Sequence, residues 1–147
     1  MVLSKAAEHG IRVTLCLARE PDKRFPVYEL AEHSGAPYHF LAKICQRLTQ
    51  AGILESYTGP NGGITLAAPP AATTVLAVVE ALDGLDGFRR CVLGLAACDE
   101  RSPCPLHEQW APIKRGIERM FARKSLADLA ADLSAGRGSL DQRVRAR

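Results

Sequence analysis

Between Pro37 and Gly52 the apolar residues Phe40, Leu41, Ile44, Cys45 and Leu48 recur at i, i+1, i+4, i+5 and i+8, the spacing of one buried stripe along an α-helix. Pro37 suits the start of such a helix and Gly52 its end, so the spacing predicts a helix over residues 37–51. The next residues change period. Two short strand-like runs, 53–57 and 63–67, flank Thr58-Gly59-Pro60-Asn61-Gly62, which carries Asn-Gly at its tip and predicts a tight hairpin. A helix with one polar face, followed at once by a glycine-tipped hairpin, leaves few folds open.

The flanking segments narrow the choice. Ser4 is placed to cap a helix over 4–19 that Pro21 stops. A second helix is expected over 27–33, with Val27, Leu30 and Ala31 on one face and Gly35 as the break. Helix, short turn, helix and hairpin is the order of a winged helix-turn-helix. Pro69-Pro70 closes that module, and a helix over 73–82 follows. Residues 83–102 read as glycine-rich loop. A long helix is expected from Pro105, as its first residue, to about Lys124, and a last one, opened by a Ser125–Asp128 capping box, over 126–133. The expected fold is therefore mainly α with a small β-hairpin wing and a long C-terminal helix. Residues 1–70 form the DNA-binding module, 71–133 a ligand loop with dimerisation helices, and 134–147 a disordered basic tail.

At 147 residues with 47% hydrophobic content the chain can bury a real core, which excludes wholesale disorder. No apolar run approaches a membrane span, and the first residues lack the apolar stretch of a signal peptide, so a cytoplasmic location is expected. Five cysteines, an odd number, fit a reducing compartment better than a disulfide scaffold; Cys16 and Cys45 fall in apolar helical patterns and read as small buried hydrophobes. A net charge of +3 is a weak pointer to nucleic acid. Residues 1–58 carry seven Lys/Arg against six Asp/Glu and residues 101–147 ten against five, so the basic excess lies outside the presumptive reading helix.

Sequence order, then, rather than charge, points to double-stranded DNA. His39, Lys43, Gln46 and Arg47 lie opposite the buried stripe, on the side that can enter a major groove. Lys43 and Arg47 can neutralise phosphates, and Gln46 or Arg47 can pair with an adenine or guanine edge. Tyr57, Thr58, Asn61 and Gly62 mark the wing, where small residues let backbone approach the sugar-phosphate wall. On the long helix Leu106, Trp110, Ile113, Ile117, Met120 and Phe121 form a heptad-like seam, expected to pair with a second copy. Such a homodimer has the twofold symmetry of a palindromic operator.

Cys91, Cys98, Cys104 and His107 have the spacing Cys-x6-Cys-x5-Cys-x2-His. Thiolate and imidazole donors select an iron–sulfur cluster, zinc or copper(I). The four could hold an iron–sulfur cluster, close a structural Cys3His zinc site, act as a thiol–disulfide switch, or hold nothing. Cys104, just before Pro105, is expected near the N-cap of the long helix, whose positive end favours a thiolate. An enzyme is not expected: there is no phosphate loop, no Gly-x-Ser-x-Gly and no paired acid and base.

Taken together, the Met-Val-Leu-Ser opening, Phe40-Leu41 through Leu48-Thr49-Gln50-Ala51-Gly52, Gly59-Pro60-Asn61-Gly62-Gly63, Val78-Val79-Glu80-Ala81-Leu82-Asp83-Gly84 and the three-cysteine loop carry a family pattern. From residue 1 to about 133 the chain resembles the IscR/NsrR-type winged-helix transcription regulators, the Rrf-2 family. The resemblance implies a homodimeric regulator whose cysteine loop holds an iron–sulfur cluster, and whose operator affinity changes when that cluster is lost, oxidised or nitrosylated. It places Cys91, Cys98 and Cys104 on the three cluster cysteines. His107 matches the fourth ligand of members with a 2Fe–2S cluster, and this type is favoured over 4Fe–4S. Glu8 matches the other solution, a carboxylate from the partner subunit's first helix. Two departures stand out: one more residue than is common separates Cys91 from Cys98, and Thr58 stands where the wing usually has arginine.

Overall fold

A computed structural model describes residues 2–140. Helix α1 (Lys5–Arg19) is capped by Ser4, whose hydroxyl accepts the Ala7 amide. Helices α2 (Val27–Ser34) and α3 (Tyr38–Gln50) are separated by Gly35, whose φ of 68° is the left-handed turn that glycine takes without strain. Gly52 repeats the device after α3 at φ 77°, with the Ile53 amide returning to the Leu48 carbonyl at 2.9 Å. Strands β1 (Leu54–Tyr57) and β2 (Gly63–Leu66) pair antiparallel in the register Leu54↔Leu66 to Tyr57↔Gly63. Helix α4 (Val75–Asp83) follows, then a loop, then α5 (His107–Arg123) and α6 (Leu126–Ser134). The capping box at Ser125 and Asp128 is complete in both directions.

The hairpin is stitched to the α1–α2 link by a further bridge. Phe25 and Ile64 exchange backbone hydrogen bonds of 3.1 and 2.8 Å. Gly63 is needed there: a Cβ at this position would lie 2.9 Å from the Phe25 carbonyl oxygen, and its φ is +142°.

One buried cluster joins the two halves of the chain. Ala7, Val13 and Leu17 of α1 meet Leu30, Leu41, Ile44, Leu48, Leu54 and Ile64 from the winged-helix part, and equally Val78 and Leu82 of α4 and Leu126 of α6. The core therefore runs unbroken across residue 70. The caps of α4 and α6 lie side by side, with the Val75 amide on the Lys124 carbonyl and the Leu126 amide on that of Thr73, both at 2.9 Å. A smaller cluster of Val75, Val79 and Phe88 receives Ile117 and Phe121 from α5.

Two expectations change. Phe40 does not join the buried stripe: it is exposed on α3, with its ring edge-on to the buried His9 ring at 5.8 Å. Pro105 is not the first residue of α5, which starts two residues later with Leu106 as cap. Pro112 sits inside α5 instead, and having no N–H it leaves the Glu108 carbonyl without the usual helical donor. At the C-terminal end α6 runs through Ser134, and the Arg137 side chain donates to Asp132 at 2.8 Å. Residues 141–147 of the expected tail lie outside the described residues.

Candidate nucleic-acid interface and cysteine loop

The polar face of α3 is open. His39, Lys43 and Gln46 are exposed, and no ion pair engages Lys43 among the described residues. Tyr38, half exposed, adds an aromatic ring beside His39 at 5.4 Å. Arg47 is placed differently from expectation: one guanidinium nitrogen donates to the backbone carbonyl of Leu82, near the C-terminal end of α4. This residue links the reading helix to α4.

On the wing Tyr57, Thr58 and Asn61 are exposed, and Gly62 closes the tip with its amide 3.0 Å from the Gly59 carbonyl. A Cβ at Gly62 would lie 2.4 Å from the Tyr57 carbonyl oxygen, so the tight tip demands glycine here. The Tyr57 hydroxyl donates to Glu55 at 2.7 Å, and that carboxylate holds the phenol above its usual pKa.

The loop between α4 and α5 carries the three cysteines and brings one of them to His107, the first residue of α5. Cys98 Sγ lies 3.5 Å from His107 Nδ1. Cys91 and Cys104 are both buried, and Cys104 lies near enough to act on the Cys91 thiol. The Cys91 thiol is held below its usual pKa, first by the backbone amide of Leu95 and then, against the cost of burial, by the Leu93 amide, Cys104 and the Gly94 amide. A sulfur cradled by amides is prepared to carry negative charge. Cys104 lies three residues ahead of α5 rather than at its cap, and its carbonyl accepts the His107 amide at 3.0 Å. Among the described residues no three His, Cys, Asp or Glu side chains converge tightly enough to hold a metal ion. The donor set nevertheless fits a soft-metal centre: three thiols of the loop and the imidazole that opens α5 lie within one short stretch, one sulfur already in an anion-stabilising setting. Glu8 sits apart on α1, paired with Lys5 at 2.6 Å.

The other two cysteines are structural. Burial pushes the Cys45 thiol up to about 11, and burial likewise raises Cys16, whose side chain packs against the core.

The seam of α5 divides. Ile117 and Phe121 turn inward onto α4, and Trp110 donates its indole N–H to the Arg90 carbonyl at 3.0 Å. Leu106, Ile113 and Met120, seven residues apart in turn, remain 46%, 54% and 54% exposed. The loop adds Val92, Leu93 and Leu95, exposed to a similar degree. Ala111 is the one buried residue of α5.

Residues 3–132 match the model of the Rrf2 family, described as an iron-dependent transcriptional regulator. The chain belongs to the Rrf2 family. It is 33% identical to Protein aau3 of Rhizobium meliloti, over 82% of this chain and 77% of that one. It is 27% identical to the HTH-type transcriptional regulator IscR of Yersinia pseudotuberculosis, over 88% of this chain and 79% of IscR. In fold it is similar to CymR, the global cysteine regulator of B. subtilis, with a TM-score of 0.73 at 22% identity, covering 88% of this chain and 95% of CymR.

As an Rrf2 protein the chain is a DNA-binding transcriptional regulator of winged-helix fold, and not an enzyme. No helix among the described residues is long and apolar enough to cross a membrane. Two residues of the Rrf2 chain's reading half escaped the sequence. Arg24 lies on the wing although it belongs to the α1–α2 link, which no local pattern announces. His9, buried with no partner for Nδ1 among the described residues, sits in an apolar helix pattern where nothing singles it out; burial first, and Arg12 next, lower its pKa.

Proposed function

We propose that this Rrf2 regulator acts as a homodimer, most simply a repressor on a palindromic operator, and that an iron–sulfur cluster in its cysteine loop sets its DNA affinity. The carrying observation is the cysteine loop itself: Cys98 stands 3.5 Å from His107, with Cys91 and Cys104 buried in the same segment, so that all four soft donors come from one short stretch of chain. Cys91, Cys98, Cys104 and His107 would hold the group. The close Cys98–His107 pair supports His107 over Glu8, which is engaged with Lys5 in its own helix, and so favours the 2Fe–2S type. When bound, the cluster supplies a centre that iron shortage, oxidants or nitric oxide can remove or alter.

What the chain's own residues do is tie that loop to the reading helix. The loop leaves α4 at Asp83, whose carboxylate accepts the Ser4 amide at 2.8 Å, and one residue earlier the Leu82 carbonyl holds Arg47 of α3. Ordering the loop thus acts on the end of α4, and through it on α1 and α3. A tenfold change in operator affinity needs about 1.4 kcal/mol of difference between two conformers. His39, Lys43 and Gln46 read or neutralise the duplex, and the wing residues Tyr57, Thr58, Asn61 and Gly62 approach its backbone. Leu106, Ile113 and Met120 form the face for the second copy, a stripe with the seven-residue repeat that helix pairing requires.

A second reading rests on Cys91 and Cys104, both buried and free in the same loop: a cluster-free thiol switch, in which a peroxide takes two electrons and two protons from the pair as their disulfide forms. A third, a zinc-stapled Cys3His site, has the same donors. Anaerobic purification with iron, zinc and sulfide analysis, followed by footprinting before and after cluster loss, separates them. Brown protein with iron and sulfide, and unequal footprints, supports the cluster. Colourless protein with one zinc, or with a peroxide-induced Cys91–Cys104 disulfide, overturns it.

A further inference from the structure

Among the residues of the wing turn, Thr58 to Gly63, none carries charge, so the hairpin tip has no cation of its own. One is brought to it from elsewhere in the chain. The guanidinium of Arg24 lies 3.7 Å from the centroid of the Tyr57 ring, and its Nη1 donates to the Asn61 carbonyl at 3.0 Å. Backbone pairing fixes the approach, because the neighbouring residue Phe25 is bonded in both directions to Ile64 of β2 and Gly63 lets the two segments touch.

The charge on Arg24 is unspent. Its neighbour Lys23 is neutralised by Glu29 at 2.6 Å, whereas no carboxylate pairs with Arg24 among the described residues. The one acid on β1, Glu55, is occupied by the Tyr57 hydroxyl. The side chain is exposed, and its Nε and Nη2 have no partner among the described residues. A guanidinium held by one edge and one face, with its remaining donors turned to solvent beside a glycine-rich tip, has the geometry of a phosphate fork.

We infer that Arg24 is a DNA-contacting residue of the wing, supplying from the α1–α2 link the phosphate-binding cation that the hairpin itself lacks at Thr58. The inference rests on DNA binding, a property of the family, and not on the cluster. Tyr57 and the Asn61 carbonyl act as its positioning partners.

The test uses the full chain and a fluorescent mixed-sequence duplex of about 30 base pairs, with affinity followed across a salt series. Losing a phosphate contact flattens the slope of log K against log salt by about 0.9 per contact. Arg24→Ala should weaken binding several-fold and flatten the slope by that amount per protomer, with the melting curve unchanged. Arg24→Lys should keep the wild-type slope, and Thr58→Arg placed on Arg24→Ala should restore it. An Arg24→Ala protein with wild-type affinity and slope overturns the inference. So does weakened binding at unchanged slope that Thr58→Arg does not repair, since Arg24 would then only fasten the hairpin. Failure of the wild-type protein to bind any duplex would instead indict the DNA reading as a whole.

Discussion

Arg47 of the reading helix donates a hydrogen bond to the backbone carbonyl of Leu82, one residue before α4 gives way to the cysteine loop. A side chain expected on the DNA instead joins α3 to the end of α4, next to the cysteine loop. The Arg47→Ala protein should lose about 1 kcal/mol of stability, and its operator affinity should depend less on the state of the loop. Urea unfolding and binding titrations of both loop states check this. Wild-type coupling in Arg47→Ala would show that the signal travels another way.

Replacing any of Cys91, Cys98 or Cys104 with serine should abolish the brown colour of anaerobically purified protein. His107→Ala should alter the absorption spectrum, while Glu8→Gln should leave it unchanged. The reverse pattern for His107 and Glu8 would assign the fourth ligand to α1.

Alkylation at pH 8 should discriminate among the thiols of cluster-free protein. With its pKa pushed to about 11, Cys45 stays protonated and should react last, and Cys16, raised by burial, should also lag. Cys91, lowered by backbone amides, is favoured toward the thiolate but is buried, so denaturant should accelerate its labelling. Time-resolved mass mapping of the tryptic peptides gives the order.

The exposed stripe of α5 predicts its own disruption. Ile113→Glu or Met120→Glu places charge where a second helix would pack, and should give monomers by sedimentation with the fold intact. Because both side chains are more than half exposed, monomer stability should change little. Dimers that survive both changes would move the interface elsewhere.

Ser125→Ala removes the cap of α6 and should cost about 1 kcal/mol. The reciprocal Asp128 carboxylate is held below its usual pKa by the Ser125 backbone amide first and its hydroxyl second. A depressed carboxylate contributes stability above its unfolded pKa and loses it as pH falls through the folded one. The wild-type advantage over Asp128→Asn should therefore be full at neutral pH and fade in the acid range below pH 4, as urea titrations at stepped pH would record.

What the chain discloses locally, it discloses well. Ser4, Gly35, Gly52 and the Ser125–Asp128 box act within a few residues of themselves, and each stands where its spacing places it. The hairpin, set by Asn61-Gly62 between two short apolar runs, is legible for the same reason. Long-range choices are not. Phe40 has the period of a core residue, but only the edge of the His9 ring from α1 reaches it, and it stays exposed. The heptad on α5 cannot reveal that Ile117 and Phe121 serve α4 while Ile113 and Met120 face outward, because both sets share one periodicity. Cysteine spacing likewise names the donors without saying that it is Cys98 that meets His107.

Leu126, fully buried from the far end of the chain against α1, has a bearing on engineering. Grafting residues 1–70 onto a foreign receiver would strip the first helix of Val78, Leu82 and Leu126 together, baring an oily flank. Swapping inputs on this scaffold therefore means editing the loop in place, with α4 and α6 kept as the lid of the reader.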